Sequence, residues 1–127
     1  MTFNEAVEVA LVQDSRYERE AYVFLREVLE VTMKRRRKAK KEEGGHVSTT
    51  ELLEDFRLHA LKEFGPMALT VLSYWRVYAS EDVGNIVFAL VDAKFLTKTE
   101  EDTLEAFREG PSFEEVFSQP FRPLQKK

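Results

Sequence analysis

The chain has 127 residues, 43% of them hydrophobic, and a formal net charge of −4. That length is one domain's worth and buries about two thirds of its unfolded surface, so a packed globule is expected and a disordered chain excluded. The absence of cysteine excludes disulfides and thiolate metal sites, and the longest uncharged run, Phe64 to Trp75, is too short for a membrane-spanning helix.

Helix starts are the clearest local signal. A Ser or Thr N-cap followed three residues later by Glu lets each side chain accept a hydrogen bond from the other's backbone N–H. Thr2/Glu5, Ser15/Glu18, Ser48/Glu51, Thr97/Glu100 and Ser112/Glu115 all have this form and all precede apolar periodicity. The first helix is predicted over 3–13, with Phe3, Ala6, Val7, Ala10 and Leu11 on one stripe. The second runs over 16–34. Its Tyr17, Ala21, Phe24, Val28 and Val31 form one face and Tyr22, Leu29 and Met33 an adjacent one, with Leu25 between. A sector that wide calls for two partner helices.

The third helix, over 49–64, places Leu52, Leu53, Phe56, Ala60, Leu61 and Phe64 on one side; Gly65 stops it and Pro66 opens the next. The fourth, over 66–77, is apolar nearly all round and is expected at the buried centre. Ser80 is placed to cap a fifth over 81–93, where Gly84 implies close approach of another helix near Trp75. A sixth covers 100–108, Gly110-Pro111 breaks it, and a last turn carries Phe113, Val116 and Phe117. Residues 118–127 are expected to be extended or mobile. No hairpin signal accompanies the β-rich NIVFALV. The fold class is therefore all-α: a single compact bundle of six to seven helices.

Residues 34–46 interrupt this pattern. Seven of the eight residues from Lys34 to Lys41 are basic; residues 34–43 carry +5, which leaves −9 for the rest. Ending in Gly44-Gly45, the stretch reads as a flexible basic loop inside one domain, although Lys, Arg and Ala also let the second helix run on. Two functional readings stand. Lys34, Arg35, Arg36, Arg37, Lys38, Lys40 and Lys41 would capture nucleic acid or another polyanion, with a log–log salt slope near −6 from about 0.9 per phosphate. Alternatively they form a solvated connection that complements the negative end of the second helix. No aromatic residue is interleaved for base stacking, and Glu42 and Glu43 oppose the field.

Asp55, His59 and Glu63 share one helix edge at i, i+4 spacing, a candidate divalent-metal set or a rim ladder. His46, before the Ser48 cap, is a candidate functional histidine or a local structural one. Leu58 breaks the polar face of its helix and, with Tyr74, Tyr78 and Phe121, makes a candidate partner surface. No GxSxG, HExxH or phosphate-binding loop occurs, so no catalytic residue and no cofactor are assigned. The leading expectation is a non-enzymatic protein-binding or adaptor domain with an unidentified protein partner; a nucleic-acid-associated protein is the alternative and a metal-dependent enzyme the third class. The opening MTFNEAVEVA has no basic or long apolar leader, so a cytoplasmic protein is expected, with no membrane partner.

RYEREAYVF at 16–24, HVS before ELL at 46–53, FGPMA at 64–68, VLSYW at 71–75, EDVGNIVF at 81–88 and KTEED at 98–102 together resemble an uncharacterised family of small proteins restricted to the Verrucomicrobia–Planctomycetes bacteria. The resemblance covers about 3–117. It implies a bacterial, cytoplasmic protein and brings no catalytic signature. The pattern leads one to expect Gly where Thr49 and Arg76 stand, and the basic insert before His46 departs from it.

Overall fold

Periodicity and caps convert directly into helices. A computed structural model of the chain describes residues 2–38, 48–96, 104–118 and 120. Among them are seven α-helices: α1 Phe3–Gln13, α2 Arg19–Lys38, α3 Thr49–Phe64, α4 Ala68–Tyr74, α5 Ser80–Asp92, α6 Leu104–Arg108 and α7 Phe113–Ser118. A 3-10 turn, Gly65–Met67, joins α3 to α4, and no strand occurs among the described residues. The all-α expectation holds.

The local caps decide where α1 and α3 begin. Thr2 and Glu5 form the full reciprocal box, and Ser48 Oγ accepts from the Glu51 N–H at 3.1 Å. Ser15 does not cap α2. Asp14 takes both the backbone and the side chain of Arg16, and the Glu18 N–H donates instead to the Trp75 carbonyl. The Arg16 guanidinium holds the Asp14 carboxyl below the usual carboxylate range. α5 also departs from expectation: its N-cap is Ala79, and the Asp82 carboxylate accepts from the N–H groups of Tyr78 and Ala79 at 2.8 and 3.1 Å. Ser80 turns away and donates to the Pro111 carbonyl. The Thr97/Glu100 box lies outside the described residues.

The core centres on α2, where Tyr22, Leu25 and Val28 are fully buried, and on Val83, Ile86 and Leu90 of α5. α2 packs on α3, α5 and α1, the multiple partners its wide apolar sector requires. Phe24 anchors the α3 side through ring contacts with Phe56, Phe64 and Trp75. Segment 64–77 is not the buried centre. Only Ala68 and Leu72 of α4 are buried, while Met67 and Tyr74 are exposed. A helix of seven residues offers one i, i+4 seam to its neighbours, and the remaining apolar side chains fall outside it. Gly84 does meet a close neighbour, but it is Phe107 rather than Trp75: a Cβ there would lie 2.6 Å from Phe107 Cγ, so α6 sits directly on α5.

α4 and α5 end alike. The Val77 N–H bonds to the Leu72 carbonyl and the Arg76 N–H to that of Ser73; Phe95 and Lys94 repeat the pattern on Leu90 and Val91. This is the Schellman closure, which puts the residue after the cap in a left-handed conformation that suits glycine. Arg76 and Lys94 occupy it, with φ of 68° and 66°.

Candidate functional site

The basic stretch starts as helix, not loop. α2 continues through Lys38 because Lys and Arg are good helix formers and cations suit a helix C-terminus. A second reason is tertiary. Arg35 Nη2 donates to Glu51 Oε2 at 2.8 Å and Asp55 Oδ2 at 2.7 Å, and Arg36 Nη1 donates to Glu51 Oε1 at 2.6 Å. Thr32 is fully buried and donates to Asp55 Oδ2 at 2.6 Å. Asp55, itself buried, is thus compensated by a hydroxyl and a guanidinium, as a buried carboxylate must be. Hydrogen bonds to the carboxylates of Asp55 and Glu51 also raise the Arg35 guanidinium pKa.

This clamp divides the predicted anion-binding set. Arg35 and Arg36 are held against α3. Lys34, Arg37 and Lys38 are exposed and make no ion pair with the described residues. Lys40, Lys41 and His46 lie outside the described residues.

Arg37 also lines a groove of about 360 Å³. Leu29 and Met33 of α2 face Phe95 and Leu96, which follow α5, with Arg26, Glu30 and Arg37 around them. Phe95 is fixed by an edge-on contact with Phe3, and Arg26 lies over the Phe3 ring. Arg26 and Glu30 pair at 3.5 Å, so Arg37 supplies the net charge of this rim. Sequence periodicity placed Leu29 and Met33 on a packing face; in the fold they line this groove and Met33 is 41% exposed.

A second cleft, of about 420 Å³, lies between α3 and the α6–α7 corner over Leu53, Phe56, Phe113 and Phe117. Its rim residues Arg57 and Glu54 pair with each other.

The proposed metal set does not converge. Asp55 is taken by Thr32 and Arg35, while His59 lies against the Phe24 ring with Nε2 3.4 Å from Glu27 Oε1. Among the described residues no group of three His, Cys, Asp or Glu side chains is placed to hold a metal ion. Leu58, Tyr74 and Tyr78 are each exposed; Phe121 lies outside the described residues.

Sequence reasoning missed one polar network. Tyr17 Oη donates to Asp82 Oδ1 at 2.6 Å and accepts from Asn85 Nδ2 at 2.8 Å, tying the start of α2 to α5. Burial, then the Asp82 bond, pushes the Tyr17 hydroxyl pKa well up.

No protein-family model, curated protein or solved structure matches this chain, so its own geometry carries the functional reading. No helix among the described residues is long and apolar enough to cross a membrane.

Proposed function

We propose that this chain is a protein-binding domain rather than an enzyme, and that its groove at Leu29, Met33, Phe95 and Leu96 receives an amphipathic helix bearing acidic residues. The observation that carries the reading is an apolar groove rimmed by Arg37, which, like Lys34 and Lys38 on the same helix end, makes no ion pair with the described residues. Helix-in-groove recognition needs an apolar floor for i, i+3, i+4 anchors and a charged rim that fixes orientation. The test is calorimetric titration of the whole chain with an acidic amphipathic helical peptide and with its Glu-to-Lys counterpart. The acidic peptide alone should bind, and Met33→Glu or Arg37→Glu should abolish binding while Lys62→Glu, on exposed α3 surface, leaves it intact. Equal binding of both peptides, or of neither, refutes the proposal.

A polyanion is the second reading, favoured by the same free cations. With Arg35 and Arg36 held by α3, five of the seven cations remain, so the salt slope on duplex DNA becomes about −4.5 rather than −6. Binding that survives charge reversal of Lys34, Arg37 and Lys38 would exclude it.

A further inference from the structure

Between α4 and α5 the chain alternates sharply. Val77 is buried and Trp75 half-buried, whereas Tyr74 is 83% exposed, Tyr78 is 62% exposed and Arg76 between them is exposed. The turn is held on every side. The Trp75 carbonyl receives the Glu18 N–H, Val77 and Arg76 close the Schellman motif, and Tyr78 N–H is fixed by Asp82. The Arg76 guanidinium makes no hydrogen bond or ion pair with the described residues and stands on a backbone conformation that suits glycine. Lys94 shares that conformation, but the residues two positions either side of it are Asp92 and half-buried Leu96, so the Schellman motif alone does not demand exposed aromatics.

From this juxtaposition we infer that Tyr74, Arg76 and Tyr78 form a second docking surface, separate from the groove, for a protein segment that presents a carboxylate beside an apolar side chain. Tyr and Arg are the residues that dominate protein interfaces, because they bring large area and directed hydrogen bonds at low entropic loss. A guanidinium with free donors takes a carboxylate in bidentate fashion. A rigid turn loses little freedom on binding. A lone cation suits a carboxylate better than a nucleic-acid backbone, whose capture takes several. The Trp75–Glu18 bond sets this turn against the start of α2, whereas the groove lies along its second half, roughly 20 Å away at 1.5 Å per residue.

The experiment is selection of short random peptides on the whole wild-type chain, followed by affinities of the selected peptides for four variants. Expected is a class of peptides enriched in Asp or Glu next to an apolar residue, losing about tenfold or more in affinity with Arg76→Gly and Tyr74→Ala. The same class should be unmoved by Met33→Glu, which tests the groove, and by Lys94→Gly, which makes the same backbone change elsewhere. Arg76→Gly should also melt at a higher temperature than wild type, so its loss of binding cannot be a loss of fold. The inference is overturned if no selected peptide depends on Arg76, if the dependent peptides are basic, or if Arg76-dependent binding is found with single-stranded RNA or anionic vesicles instead. A groove that fails its own titration leaves these outcomes unchanged.

Discussion

Tyr17 and Tyr22 are both buried, yet replacing each by phenylalanine should move stability in opposite directions. Tyr22 is fully buried, and its hydroxyl has no hydrogen-bond partner among the described residues. Burying a hydroxyl unpaired costs about 1–3 kcal/mol, so Tyr22→Phe should stabilise by about 1 kcal/mol after allowing for the small void left by the oxygen. Tyr17 donates to a carboxylate and accepts from Asn85, so Tyr17→Phe should destabilise by about 2 kcal/mol, the usual range for a bond to a charged group. Urea titration reads both, with the slope m unchanged. Alkaline pH gives an independent check. Burial pushes the Tyr22 hydroxyl from 10.0 up to about 12. The unfolded chain therefore loses this proton first, and above pH 10 it binds fewer protons than the native state. Stability from this group is intact below pH 10 and is lost as pH rises through about 12. Tyr22→Phe should flatten that decline. A destabilised Tyr22→Phe, or a neutral Tyr17→Phe, would refute the reasoning.

Three further outcomes are expected. Gly84→Ala should destabilise by about 1–2 kcal/mol, because driving Cβ into the stem of Phe107 outweighs the gain of about 1 kcal/mol in helix propensity; Gly84→Ala with Phe107→Leu should recover part of the loss in thermal melts. Thr32→Val keeps the shape but takes a donor from Asp55, and should destabilise by about 1–3 kcal/mol, whereas Thr32→Ser should be milder in the same urea assay. Arg76→Gly should stabilise by about 0.5–1 kcal/mol, the relief of a left-handed residue less the chain entropy that glycine adds to the unfolded state.

The sequence was most legible where the determinants are local. The bounds of α1 and α3 follow from Thr2 and Ser48, each of which satisfies a backbone donor three residues away. α2 begins later than its apparent cap because the Glu18 N–H finds a partner in Trp75, far along the chain. The apolar character of 64–77 suggested a central helix, but hydrophobicity does not say how many neighbours surround a segment, and α4 lies with one seam inward. The basic stretch posed the same difficulty. Nothing local ties Arg35 and Arg36 to Glu51 and Asp55; Thr32, a polar residue on an otherwise apolar stripe, was the one hint that α2 faces a buried acid. The groove is equally a product of packing, since its lining joins Leu29 and Met33 of α2 to Phe95 and Leu96, far along the chain.

Charge distribution gives the two proposed docking surfaces a common logic. Outside residues 34–43 the chain carries −9, a field that repels an acidic partner from most of its surface. Lys34, Arg37 and Lys38 at the end of α2, and Arg76, make no ion pair with the described residues and are the openings in that field. They are separated by roughly 20 Å, beyond the Debye length of about 8 Å at physiological salt, so occupancy of one does not electrostatically disfavour the other. Each end of α2 is also braced, by Tyr17 on Asp82 and Asn85 at its start and by Arg35 on Glu51 and Asp55 near its finish. The helix then acts as a stiff spacer. A partner carrying both an acidic amphipathic helix and a carboxylate-bearing segment, joined by a linker that spans this distance, would bind far more tightly than either piece, through effective concentration alone. Two separate partners would instead be held together, which is what an adaptor requires.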